Sequence, residues 1–178
     1  RSEIEYWQKK IGIKQPFISE NGGGIFVPKN YFSFDFLYCR KDKNYYIIDL
    51  GVNYSRLAQT INSLKKKYEI KSFSDMSHKE IADDANISIS QAKLAKKREY
   101  TLPFKILDKG QEKQIIRKNK KSGLNVTKGG RYHHLMGDND KGGAVNILSQ
   151  FFKRKFDDVY TIGLGDSEND FPMLDVVD

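Results

Sequence analysis

Cysteine is almost missing from this chain: Cys39 stands alone, so no disulfide can close within it, and a reducing cytoplasm is the expected compartment. No apolar run approaches the roughly 20 residues that cross a bilayer, so no membrane partner is expected. The first ten residues, Arg1 to Lys10, are charged and amphipathic. They lack the apolar stretch of a secretory signal. Internal repeats and low-complexity segments are absent too. No recognised RNA- or DNA-binding motif accompanies the net charge of +8, and basic runs such as Lys65–Lys67 and Arg117–Lys121 fall on polar sides or ends of predicted helices. They read as solvated helix faces, with part of the charge serving a phosphate-seeking cleft, and no nucleic-acid partner is expected.

What is present is an ordinary globular composition, 38% hydrophobic and 12% aromatic over 178 residues. That is enough for one good core, or for a small core carrying an inserted module. Strands alternate with helices. Ser2–Ile11 reads as a helix with Ile4, Trp7 and Ile11 on one stripe, stopped by Gly12. Pro16-Phe17-Ile18-Ser19 reads as a short buried strand, and Ile25-Phe26-Val27 returns beside it as a hairpin arm after the turn at Gly22-Gly23-Gly24; Asn30–Asn44 is aromatic and irregular. A strand at Tyr45–Leu50 leads into a helix at Tyr54–Tyr68, whose stripe is Leu57, Ile61, Leu64 and Tyr68. A short strand near Lys71–Phe73 precedes helices at about Lys79–Ala85 and Ile89–Lys97, the second opened by a capping box at Ser88 and Gln91. A strand at Phe104–Leu107 and a helix at Gln111–Lys121 come next. Asn125–Met136 reads as one long strand and Lys141–Arg154 as a helix burying Ala144, Leu148, Phe151 and Phe152. Val159–Leu164, nearly all apolar, reads as a strand buried on both faces. The expected fold class is α/β: a Rossmann-like core over about 1–41 and 137–178, with an inserted α+β cap over about 42–136.

The acidic segment Gly165-Asp166-Ser167-Glu168-Asn169-Asp170 follows that last strand. At the carboxyl ends of strands in open α/β sheets, ligands bind. Gly165 would let the backbone turn so that Asp166 aims into the crevice. Magnesium is a hard cation satisfied by one or two carboxylates, waters and a substrate phosphate. A plain turn accounts for the same residues, since Gly, Asp, Ser and Asn all favour turns. Upstream, Asp140-Lys141-Gly142 places a lysine at a predicted helix N-terminus, where the dipole disfavours it. A phosphate between the ammonium and the helix end would resolve that conflict; an exposed lysine is the plainer reading. His133 and His134 are adjacent, so on a strand they face opposite ways and make a poor metal pair. Asp138 and Asp140 read as turn residues.

Together, Asp140-Lys141-Gly142 and Gly165–Asp170 resemble the third and fourth signature motifs of haloacid-dehalogenase-like phosphatases. Ile18-Ser19-Glu20-Asn21-Gly22 is similar to a segment of the subgroup with a large α/β cap. Arg98-Glu99-Tyr100, Lys128-Gly129-Gly130-Arg131-Tyr132 and Asp166–Met173 resemble the mannosyl-3-phosphoglycerate phosphatase family.

The resemblance implies a magnesium-dependent phosphatase of a phosphorylated sugar-glycerate, working through an aspartyl-phosphate. In that reading Asp166 ligates magnesium, Asp170 supports the metal or orients Lys141, and Lys141 neutralises the nucleophile and the phosphoryl group. Asn169 bonds the phosphoryl group or a metal-bound water. Arg131 and Arg98 are candidates for the glycerate carboxylate, while Glu20, Asn21 and Glu99 would read sugar hydroxyls. For Glu20–Gly22 a turn, and for Arg98 and Glu99 an exposed helix end, remain equal alternatives. The Asp-x-Asp nucleophile motif that such phosphatases carry on their first strand finds no substitute in the chain. It is expected upstream of Arg1, as is a phosphate-binding Ser or Thr, and the chain is expected to be a fragment that is inactive alone. A phosphatase of sucrose phosphate or a hexose phosphate, and a non-catalytic binding protein, are the alternatives.

Overall fold

The computed structural model describes all 178 residues, Arg1 to Asp178. In chain order, α1 covers Ser2–Ile11, β1 Phe17–Ser19, β2 Gly24–Pro28, β3 Arg40–Lys41 and β4 Tyr45–Asp49. Then come α2 (Tyr54–Lys65), β5 (Ile70–Ser72), α3 (His78–Ala85), α4 (Ile89–Ala95) and β6 (Leu102–Ile106). The remainder is α5 (Glu112–Lys121), β7 (Asn125–Lys128), β8 (His133–Met136), α6 (Lys141–Lys155) and α7 (Phe171–Leu174). These elements form two compact units, one of Arg1–Glu3 with Val52–Asp138, the other of Ile4–Gly51 with Asn139–Asp178.

In the first unit the sheet runs β5-β6-β8-β7, every ladder antiparallel. The stripe of α2 buries Leu57, Ile61 and Leu64 in a cluster with Leu102, Phe104, Ile115 and Leu135, and Tyr68 packs at its margin. Both short helices are fixed at their starts by reciprocal capping boxes, Ser77 with Glu80 on α3 and Ser88 with Gln91 on α4. Each box satisfies donors that the first helical turn otherwise leaves unpaired. The long strand expected over Asn125–Met136 is instead a hairpin. Gly129-Gly130-Arg131-Tyr132 turns the chain, closed by Gly129 N–H donating to Tyr132 O at 2.9 Å, and β7 folds back on β8 with Lys128 opposite His133. Two adjacent glycines carry little strand preference, so the turn forms where the apolar pattern lapses.

In the second unit the sheet order is β1-β2-β4-β3, again antiparallel throughout. All five residues of β2 are buried because both of its faces are covered. Ile25 and Val27 pack with Phe32, Ala144 and Leu148 of the cluster around α6, which Phe151 and Phe152 flank. On the other side, Phe26 stacks on Phe17 at 4.9 Å, with the Tyr45 ring edge-on to both. Pairing of β4 with β2 brings Tyr45–Asp49 into this unit, beyond the junction expected near residue 41.

Helix α1 forms, but none of its residues is buried; Trp7 is 48% and Ile11 64% exposed. No element covers that stripe, and Trp7 is instead overlain by the Lys10 ammonium at 4.7 Å. Val159–Leu164 is not a buried strand. Within these 178 residues it pairs with no other strand, and the two sheets that do form are antiparallel. Its exposure still alternates residue by residue, with Tyr160, Ile162 and Leu164 at 75%, 79% and 88%. The backbone of Thr161 meets only Asp178, whose Oδ2 accepts from Thr161 N–H at 2.9 Å.

Candidate active site

Three loops of the second unit meet at the start of α6. The first is the Glu20-Asn21-Gly22 turn between β1 and β2, whose residues all have positive φ, at 54°, 54° and 81°. The second is Asn139-Asp140-Lys141. Asp140 caps α6 by accepting from Gly143 N–H at 2.8 Å, which leaves Lys141 as the first helical residue. The third is Asp166–Asp170, which enters α7 through a short 3-10 turn. The loops touch so closely that glycine is required. A Cβ on Gly22 would lie far inside the 3.0 Å that real Cβ atoms keep from other atoms, against Asp140 O. Gly165 is needed for the same reason, because a Cβ there would overlap Asp170 Cβ; its φ is not positive, so space rather than an unusual turn selects it.

Asp170 is the hub of the acidic loop. Only 5% exposed, it accepts the Lys141 ammonium on Oδ1. Its Oδ2 accepts from the backbone N–H groups of Asp166 and Ser167 at 3.1 and 3.2 Å. The lysine hydrogen bond holds its carboxyl below the usual carboxylate range; burial opposes this, and the two backbone donors add to it. The dipole conflict at Lys141 is thus met by a buried carboxylate. Asn169 is a brace between loops: its Nδ2 donates to Asn21 Oδ1 at 3.2 Å, and its Oδ1 accepts from Ser167 Oγ at 2.7 Å. Asn139 Nδ2 donates to Asn21 O at 2.9 Å.

No three His, Cys, Asp or Glu side chains converge as a metal cage. A hard divalent cation needs less, and an all-oxygen donor set suits it. Asp166 fits that requirement, because it is exposed and its carboxylate engages only the Ser167 hydroxyl, at 3.1 Å. The Asp170 oxygens are already committed, so the geometry serves its orientation of Lys141 rather than direct ligation.

The other expected residues lie elsewhere. In the first unit, Arg98 donates to Ala95 O at 2.8 Å and pairs with Glu3 at 3.6 Å, while Glu99 pairs with Arg1 at 3.2 Å. Arg131 sits in the β7–β8 turn, not on a strand as expected, and donates to Asp84 O at 2.8 Å. Asp84 also accepts from Lys105 Nζ and the Tyr132 hydroxyl. His133 bonds Glu112 Oε1 at 2.9 Å. Sequence reasoning missed Asn139 and Ser167 at the site and the Asp84–Lys105–Tyr132 cluster. Asn139 lies between two aspartates and carries only a turn signal; nothing local marks its partner, 118 residues away.

The whole chain, residues 1–178, matches the model of the haloacid dehalogenase-like hydrolases, and it belongs to that family, with its α/β fold. It is 42% identical over 181 residues to the glucosyl-3-phosphoglycerate/mannosyl-3-phosphoglycerate phosphatase of Methanococcoides burtonii, covering all of this chain and 66% of that protein. It is 37% identical over 179 residues to the mannosyl-3-phosphoglycerate phosphatase of Pyrococcus furiosus, covering all of this chain and 72% of the relative. A crystal structure from Thermoplasma acidophilum has the same fold, with a TM-score of 0.58 at 24% identity, over 96% of this chain and 60% of that one. The chain therefore spans about two thirds of the length of these relatives. Phosphatases of the family generally use a divalent metal. No helix here is long and apolar enough to cross a membrane.

Proposed function

We propose that the intact protein is a magnesium-dependent phosphatase hydrolysing a phosphorylated sugar-glycerate, mannosyl- or glucosyl-3-phosphoglycerate, in a reducing cytoplasm. The observation that carries this reading is the Lys141–Asp170 ion pair at the start of α6, beside the exposed carboxylate of Asp166. The named activities of the relatives support the substrate class.

In this reading an aspartate carboxylate supplied by the intact protein attacks phosphorus. The P–O bond to the glycerate breaks, the departing oxygen takes a proton, and water then hydrolyses the aspartyl-phosphate. Asp166 would hold the magnesium ion, which supplies charge stabilisation to the phosphoryl oxygens. Lys141 adds a second positive charge, aimed by Asp170; phosphoryl transfer depends mainly on such positioning and charge. Asn169 keeps the acidic loop in place. The second unit acts as the phosphate-handling core and the first as the cap. Arg131 and Arg98 serve the glycerate carboxylate, and Glu20, Asn21 and Glu99 serve the sugar hydroxyls.

The test uses the full-length protein with a panel of the two sugar-glycerate phosphates, sucrose phosphate and hexose phosphates, compared by kcat/KM. The sugar-glycerates should lead. Lys141→Ala and Asp166→Ala should each lower kcat/KM by roughly 10²–10³-fold. Equal turnover of hexose phosphates would remove the substrate assignment. Near-normal rates in both variants would remove the site.

A further inference from the structure

Two successive non-glycine residues, Glu20 and Asn21, hold the left-handed conformation. Asparagine tolerates it better than most residues, but glutamate does not. Such backbone persists only where its surroundings over-determine it, and it concentrates at functional sites. Here the surroundings can be named. Asn139 Nδ2 donates to the Asn21 carbonyl, while the Asn21 side-chain oxygen accepts from Asn169. The direction of the Asn139 amide is forced, since only its nitrogen can face a carbonyl. Its own Oδ1 is left buried with no hydrogen-bond partner. That orphaned oxygen is what the arrangement tolerates to keep the donor in place.

The contacts close a ring: Asn139 to Asn21, Asn21 to Asn169, along the acidic loop to Asp170, and from Asp170 back to Lys141. One side of the ring is ionic and the other is made of amides. A loop tied at a single point can pivot, whereas two ties fix its orientation. We infer that Asn139 and Asn21 are positioning residues, which act through Asn169 to hold Asp166 in register with Lys141 for divalent-cation binding. The inference rests on the proposed function for the identity of the Asp166 loop as a cation site. It adds a second duty to Asn21, whose side-chain oxygen already serves Asn169.

The test is a binding cycle on the full-length protein, using Mn²⁺ alone as probe and the free-ion electron paramagnetic resonance signal as readout. Removing a group that holds metal ligands in place typically costs 10–100-fold in affinity. Asn21→Ala, Asn139→Ala and Asn169→Ala should each weaken Mn²⁺ binding by about 10-fold. The Asn21→Ala/Asn169→Ala double variant should bind no more weakly than the worse single, because both cut the same tie. Asn139→Asp keeps the shape but sets an oxygen against the Asn21 carbonyl, so it should be at least as damaging as Asn139→Ala. The inference is overturned if the double variant is additive, if Asn139→Asp binds like wild type, or if wild type takes up no Mn²⁺. Asn169→Ala, truncating a half-buried side chain, decides the matter alone should variants at 21 or 139 fail to fold: unchanged affinity there refutes it. The binding cycle also separates the two readings, since a wild type that binds Mn²⁺ but hydrolyses no sugar phosphate would sink the proposed function only.

Discussion

Replacing Gly22 by alanine imposes two penalties that the structure separates. The first is conformational: φ is +81°, and a Cβ in the left-handed region costs about 1–2 kcal/mol. The second is steric. The turn would have to back away from Asp140 O until the 3.0 Å floor is met, which breaks the Asn139–Asn21 hydrogen bond, worth about 1 kcal/mol. Gly22→Ala should therefore destabilise the second unit by about 2–3 kcal/mol in total. Gly12 supplies the control. Its φ is similar, +75°, but a Cβ there meets nothing within 4 Å, so Gly12→Ala should cost only the conformational part, about 1–2 kcal/mol. Urea melts of the full-length variants give both numbers. Mn²⁺ titration adds a second readout, in which Gly22→Ala should weaken binding and Gly12→Ala should not. Equal destabilisation by the two substitutions, with unchanged Mn²⁺ affinity in both, would refute the reading of the Gly22 contact as what seats the turn on the helix start.

In the first unit, Phe104 of β6 is fully buried in the core cluster with the α2 stripe, so Phe104→Ala should cost about 3–5 kcal/mol in the same melts; a loss under about 1 kcal/mol would mean the core is not packed as described. Asp84 offers a pH test. The Lys105 hydrogen bond, with Tyr132 second, holds its carboxyl below the ordinary value, and a depressed folded-state pKa gives stability that is present above the unfolded value and lost as pH falls through the folded one. Wild type should exceed Asp84→Asn by about 1 kcal/mol at neutral pH, a gap that narrows below about pH 4; a gap unchanged at pH 3 would exclude the ion pair as its source.

The elements were legible wherever a local pattern had something to pack against. The α2 stripe and the apolar face of α6 were readable because Leu57, Ile61 and Leu148 are both periodic and covered. The same periodicity did not predict burial for Ile4, Trp7 and Ile11, a face that nothing within these 178 residues covers, and the apolar run Val159–Leu164 likewise finds no strand partner within them. The site was legible in its charged members, Lys141, Asp166 and Asp170, because charges at a helix start and after a strand violate local preference and so draw notice. Of its amide members, Asn21 and Asn169 were named for contacts to substrate or metal-bound water rather than to each other, and Asn139 was missed. An asparagine in a turn violates nothing, and the bonds from Asn139 and Asn169 to Asn21 span 118 and 148 residues. Arg131 falls in a turn because Gly129-Gly130 interrupts the apolar pattern on either side and acts as the hinge of a hairpin.

Asp140 serves two elements at once. Its carboxylate holds the first turn of α6 through Gly143 N–H, and its backbone oxygen lies against Gly22. The helix start and the turn are therefore not independent parts: whatever frays one end of α6 also unseats the loop that leans on it, and the two should loosen together on heating.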